Sequence, residues 1–167
     1  MRVGAQPTLF EALDECHRQI ATRLKHLAEV AERAAAGDVN DDLCRRAAEI
    51  ESFFSNVSRA HHEQEERGVF PPLLEIGDPV LVETVQLLQE EHAWIEARWS
   101  GIAQRLRAFA QGQALEDAGG FVASVQEFLQ VLKLHMELED TVIYPESRTQ
   151  WARAVAARIA AETPPHA

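Results

Sequence analysis

Four apolar stripes constrain this chain more than any other feature. Each steps by three or four residues, and each is interrupted by a histidine where another aliphatic residue is due. They run Leu13, His17, Ile20, Leu24, Leu27; then Leu43, Ala47, Ile50, Phe54, Val57, His61, Glu65; then Leu81, Val85, Leu88, His92, Ile95, Trp99, Ile102, Leu106; and finally Phe121, Val125, Phe128, Leu132, His135, Glu139, Ile143. That period is the signature of amphipathic helices, and no segment alternates as a strand would. Turn and cap residues separate the stripes: Thr8 with Glu11 as a capping box, Gly37 to Asn40 as a turn ending in an N-cap, Gly68 with Pro71 and Pro72 as an interruption, Asp78-Pro79 as a restart, and a loop over 113–120. The expectation is an all-α fold, an antiparallel up-down-up-down four-helix bundle over residues 8–146, preceded by an arm over 1–7. Residues 147–167 are expected to form a short fifth helix and tail, with Trp151, Val155 and Ile159 packing on the bundle or on a second copy.

Six residues break the rule that an inward stripe is apolar: His17, His61, Glu65, His92, His135 and Glu139. Burying that many polar groups without partners costs several kcal/mol each, so a shared compensator is required, and a metal centre supplies one. The midpoints between successive histidines fall at residue 39, beside Gly77 and beside Gly112, each in an expected turn. In antiparallel hairpins this sets all four histidines at one height. The spacing His-x-x-x-Glu, at 61/65 and 135/139, puts two donors one turn apart on one face. The segment from His61 to Pro71 also matches that from His135 to Pro145 at histidine, acid, aromatic and proline positions, and each is preceded by a lone histidine 44 or 43 residues upstream. Two equivalent donor sets imply two metals.

At these residues the chain resembles the hemerythrin-like, or HHE cation-binding, family over roughly residues 8 to 146. The resemblance implies a non-haem di-iron centre with His17, His61, His92 and His135 as terminal ligands and Glu65 and Glu139 as bridges, and binding of dioxygen or nitric oxide. Zinc suits the same donors in a recombinant protein. Oxygen-carrying members add a histidine one turn after the third-helix histidine, where this chain has Glu96. The four-histidine, two-glutamate set is similar to bacterial members linked to nitric oxide response and iron–sulfur cluster repair, although their cysteine-bearing N-terminal domain has no counterpart in Met1 to Pro7. Sensing, storage or delivery of a diatomic is the leading expectation. A redox enzyme or iron donor, and simple metal storage, are the alternatives.

Other candidates rank lower. His62 sits on a face shared with Glu51, Ser55, Ser58 and Glu66 and is expected outside the metal site, with His61 as the ligand of the pair. His26 and His166 are expected on the surface. The repeat favours Glu139 over Asp140, and Glu96 is read first as a solvated acid. Tyr144 and Phe70 are expected to close the core. Cys16 and Cys44 show no paired spacing, so neither a disulfide framework nor covalent haem is signalled. None of the seven histidines follows a glutamate by three residues, against a ferritin-like site. The net charge of −11 disfavours nucleic acid and anionic lipid as partners, and no apolar run approaches the ~18 residues of a membrane span. A cytoplasmic monomer or homodimer is expected.

Overall fold

A computed structural model of the chain describes residues 8–162, so the expected arm, the end of the tail and His166 lie outside the described residues. Within that span the elements are helices: α1 (Leu9–Ala35), α2 (Asp41–Ser52), a π-helical turn (Phe53–Ser58) leading into α3 (Arg59–Gly68), α4 (Phe70–Ile76), α5 (Pro79–Ala110), α6 (Ala118–Leu138), and a second π turn (Glu139–Ile143) leading into α7 (Tyr144–Glu162). No strand occurs among the described residues.

The caps follow the sequence chemistry. Thr8 and Glu11 form a reciprocal capping box on α1. The Asn40 side chain accepts from the Leu43 N–H, and the Asp78 carboxylate accepts from Val80 and Leu81. Gly37 and Gly77 turn the chain with φ of 81° and 72°, a left-handed conformation that costs other residues steric strain.

Side chains meet across the helices in opposing order. Glu29 meets Arg46, Arg23 meets Glu49 and His17 meets His61 between α1 and the α2–α3 run. Glu51 meets Arg107, Ser55 accepts from Trp99 and Glu66 meets His92 between that run and α5. Arg98 pairs with Glu127 and Glu91 with His135 between α5 and α6.

Two apolar clusters result. The larger draws on Ile20, Leu27, Ile50, Phe54, Ile95, Leu106, Phe121 and Leu132, and the smaller on Leu13, Val69, Phe70, Leu73, Val85, Leu88, Ile143 and Tyr144. In α1 and α5 the histidine lies between a residue of one cluster and a residue of the other, Leu13 and Ile20 about His17 and Leu88 and Ile95 about His92, and along the other two runs His61 falls between Phe54 and Val69 and His135 between Leu132 and Ile143. The polar residues therefore form a layer sandwiched between two dry ones.

Three features differ from expectation. The interruption expected at Gly68 with Pro71 and Pro72 falls at Val69, and the two prolines stand in the first turn of α4, where a missing N–H costs nothing. Helix also continues past Pro145, entered through the π turn at Glu139–Ile143, so no separate fifth helix forms. Its start is tied to α1 by Arg148, which pairs with Asp14 at 2.6 Å and lies over the Phe10 ring. Beyond it Trp151 and Ile159 are 61% and 60% exposed, so this stripe is not buried as the sequence led one to expect.

Candidate metal centre

Burial is the first property of the site. His17, His61, His92, His135, Glu65 and Glu139 are each 5% exposed or less, and their donor atoms converge. Two groups of four side chains have one donor atom each within 4.8 Å of one another. The first is His17, His61, Glu65 and Glu139. The second is His62, Glu65, His92 and His135. Glu65 belongs to both. Glu139 approaches His17 Nε2 at 3.2 Å and His135 Nε2 at 3.0 Å, so it too faces both sides.

His62 corrects the sequence expectation. It is 3% exposed, stacks on His92 with ring centroids 4.1 Å apart, and belongs to the second group. The cause is the π turn at Phe53–Ser58. An extra residue in a turn leaves everything downstream about 100° behind where an uninterrupted α-helix would carry it, so each residue takes the place its predecessor would have had. Val57, expected inside, is 42% exposed, Ser58 is buried in its place, and both His61 and His62 reach the interior. Glu96 is exposed and belongs to neither group, as does the half-buried His26.

Three of the imidazoles are oriented from behind. His17 Nδ1 donates to Asp140 at 2.8 Å, His92 Nδ1 to Glu66 at 2.9 Å, and His135 Nδ1 to Glu91 at 2.8 Å. Each carboxylate holds a proton on Nδ1 and turns Nε2 inward, the arrangement that raises ligand basicity around metal sites. Asp140 thus serves as an acceptor behind His17, with Glu139 buried in the site, in line with the preference for Glu139. These three acceptors were missed in the sequence, yet each is the chain neighbour of a site residue: Glu66 of Glu65, Glu91 of His92, Asp140 of Glu139. Tyr144 closes the smaller cluster as expected and also reaches the site. Its hydroxyl donates to Glu65 in a short hydrogen bond and lies 3.1 Å from His17 Nε2, with its ring stacked on that imidazole.

Among the described residues, every buried side-chain nitrogen or oxygen without a hydrogen-bond partner belongs to His61, His62, Glu65, His92, His135 or Glu139. Orphaned buried polar atoms are rare and costly, and here all six residues that carry them belong to the two four-residue groups. The residues present fit a cation there.

Electrostatics agree. Burial alone would push His92 and His135 down, but pairing with Glu139, together with Glu65 and Glu66 for His92 and Glu91 for His135, outweighs it and raises them to about 10 and about 9. Burial and the neighbouring Glu139 charge would push Glu65 up, yet pairing with His61 and His92 brings it to about 2. His62 differs: burial, then the charge of His92, pushes it down to about 3. Burial, then the charges of Glu65 and Glu15, lifts the Cys16 thiol to about 12, which leaves it an inert neighbour.

A pH dependence follows. Without metal, His92 and His135 carry protons at neutral pH, and a cation at their Nε2 atoms must displace them. Metal uptake near pH 7.5 is expected to release about two protons, and apparent affinity to climb with pH until those imidazoles are already neutral. Calorimetry in buffers of different ionisation enthalpy counts the protons. Uptake without proton release would show that these nitrogens are not the donors.

A helical domain with a buried histidine and glutamate cluster able to hold a metal cation is the class that fold and site define. The chain belongs to the hemerythrin HHE cation-binding domain family, which matches residues 8–147. It is also similar to an uncharacterized protein of Haemophilus influenzae, 21% identical over 131 residues, covering 78% of this chain and 74% of the relative. No solved structure gives a significant match.

Proposed function

We propose that the chain is a non-haem di-iron protein that binds dioxygen or nitric oxide for sensing, storage or delivery. His17, His61, His92 and His135 would hold the two ions and Glu65 and Glu139 would bridge them, within an up-down-up-down bundle that the opposing order of cross-helix contacts supports. The observation that carries the reading is the sharing of Glu65 between two four-residue groups, with Glu139 reaching a histidine of each. One group alone would describe a single-metal site. A shared carboxylate suits a close pair, because its two oxygens offset the mutual repulsion of neighbouring cations.

Iron is favoured by the donor chemistry. Imidazole and carboxylate are ligands of intermediate and hard character, and no thiol joins either group. Reduced iron there would supply a redox-active pair with affinity for diatomic ligands. The protein's own part is to hold the donors in a buried layer, to fix three imidazoles through Asp140, Glu66 and Glu91, and to keep a hydroxyl proton on Tyr144 beside Glu65 and His17. Burial and the charges of Glu65 and Glu139 push the Tyr144 phenol far above its ordinary range, so that proton stays on oxygen.

No described helix is long and apolar enough to cross a membrane. We place the protein in the cytoplasm as a monomer or homodimer, without nucleic acid or membrane partners.

Anaerobic titration of iron-loaded, reduced protein with nitric oxide tests the function. A saturable optical change at one or two nitric oxide molecules per chain, without consumption, is expected. Steady consumption of nitric oxide in the presence of an electron donor would instead make the protein a redox enzyme, and zinc in place of iron would leave both responses absent.

A further inference from the structure

A cavity of about 240 Å³ lies between the α2–α3 run and α5, and its lining includes His62. Its inner wall carries Phe54, Ile95, Trp99 and Phe128, while Arg59, Glu96, Ser100 and Arg107 are exposed at its mouth. His62 is the one residue of either four-residue group on that lining. The cavity therefore connects solvent to the second group through this one side chain.

His62 also differs in how it is held. The rings of His17, His92 and His135 are clamped by carboxylates on Nδ1, whereas both nitrogens of His62 lack any hydrogen-bond partner although the residue is 3% exposed. Stacking on His92 is its principal restraint. The void beside it is large, since roughly 150 Å³ is enough to take a six-membered ring. A five-membered imidazole fits there with room left for a ligand of two or three heavy atoms.

We propose that this cavity is the access path and docking place for the small exogenous ligand, and that His62 is its gate: the ring either occupies a donor place in the second group or swings into the cavity and yields that place. The ligand class is a small molecule of two or three heavy atoms with a terminal donor atom, passing Ser55 and Ser58 over an aromatic floor. The chain would then hold the position closed at rest without the fifth histidine of the oxygen carriers. The gate rests on the metal-site reading, and the two fail differently. If wild-type protein takes up no metal, that reading falls. If metal-loaded variants bind ligand as wild type does, only the gate falls.

Azide binding to iron-loaded protein, followed by stopped-flow absorbance, is the test. If the cavity-facing state is populated at about 1–10%, apparent affinity is lowered by that fraction, so His62→Ala, compared per bound iron, should tighten azide binding by about 10- to 100-fold. Ser100→Trp, a change at the exposed mouth, should slow azide association by about tenfold and leave metal content alone. Nuclear magnetic resonance of the metal-free protein with labelled histidines adds a readout independent of iron. The His62 ring should show microsecond-to-millisecond exchange that the clamped rings of His17, His92 and His135 lack, and Ser100→Trp should suppress it. Azide kinetics unaltered in both variants, or a His62 ring as rigid as the clamped three, would each overturn the gate.

Discussion

Stripping the metal is expected to lower the melting temperature by about 10 °C. A ligand that binds only the folded state at a thousand times its dissociation constant stabilises it by about 4 kcal/mol. For a domain of 150–250 residues each kcal/mol moves the midpoint by about 2–4 °C. The metal-free protein should nevertheless remain folded. Its two buried carboxylates face His92 and His135, which that pairing holds positive, so the layer persists through imidazolium–carboxylate contacts between the two apolar clusters. What the network leaves unmet is the set of orphaned donor atoms on six residues, which a cation satisfies and protons do not. Melting curves of metal-loaded and chelator-treated protein decide the matter. Coincident midpoints would mean that metal does not engage the buried layer.

Glu65→Ala should be the most damaging single change at the site. Glu65 is the residue common to both groups, so its loss removes a donor from each, and it also strips Tyr144 of its hydrogen-bond acceptor. Outer partners of metal ligands cost 10- to 100-fold in affinity when removed, so loss of the shared carboxylate should cost at least about 100-fold for both ions. His61→Ala should weaken the first group alone, because His61 belongs only there. Metal titrations of the two variants give the contrast. If Glu65→Ala bound as many ions as His61→Ala, or more, the bridge assignment would fail.

Much of this was visible in the residues themselves, for a physical reason. A histidine or glutamate standing where helical period demands an aliphatic side chain is conspicuous, and His17, His61, Glu65, His92, His135 and Glu139 all stand so and all converge. The turns that set their common height are also where expected, and Gly37, Gly77 and Gly112 all have positive φ.

His62 escaped because period counting assumes 3.6 residues per turn throughout. The π turn at Phe53–Ser58 violates that locally, and nothing in the string Phe-Phe-Ser-Asn-Val-Ser announces it. The acceptors Glu66, Glu91 and Asp140 escaped because they sit on outer, half-exposed positions and act across helices. Only their adjacency to Glu65, His92 and Glu139 hinted at them. The stripe Trp151, Val155 and Ile159 misled for another reason: amphipathicity reports an apolar face but not what covers it, and in α7 Trp151 and Ile159 are left largely exposed.

The most direct measurement is iron bound per chain after anaerobic loading with ferrous ion and removal of the excess, made on wild type and Glu65→Ala side by side. About two irons per wild-type chain are expected, since two four-residue groups share one carboxylate, with retention lost in the variant. No retained iron in the wild type, or equal retention in the variant, would contradict a paired metal site built on Glu65.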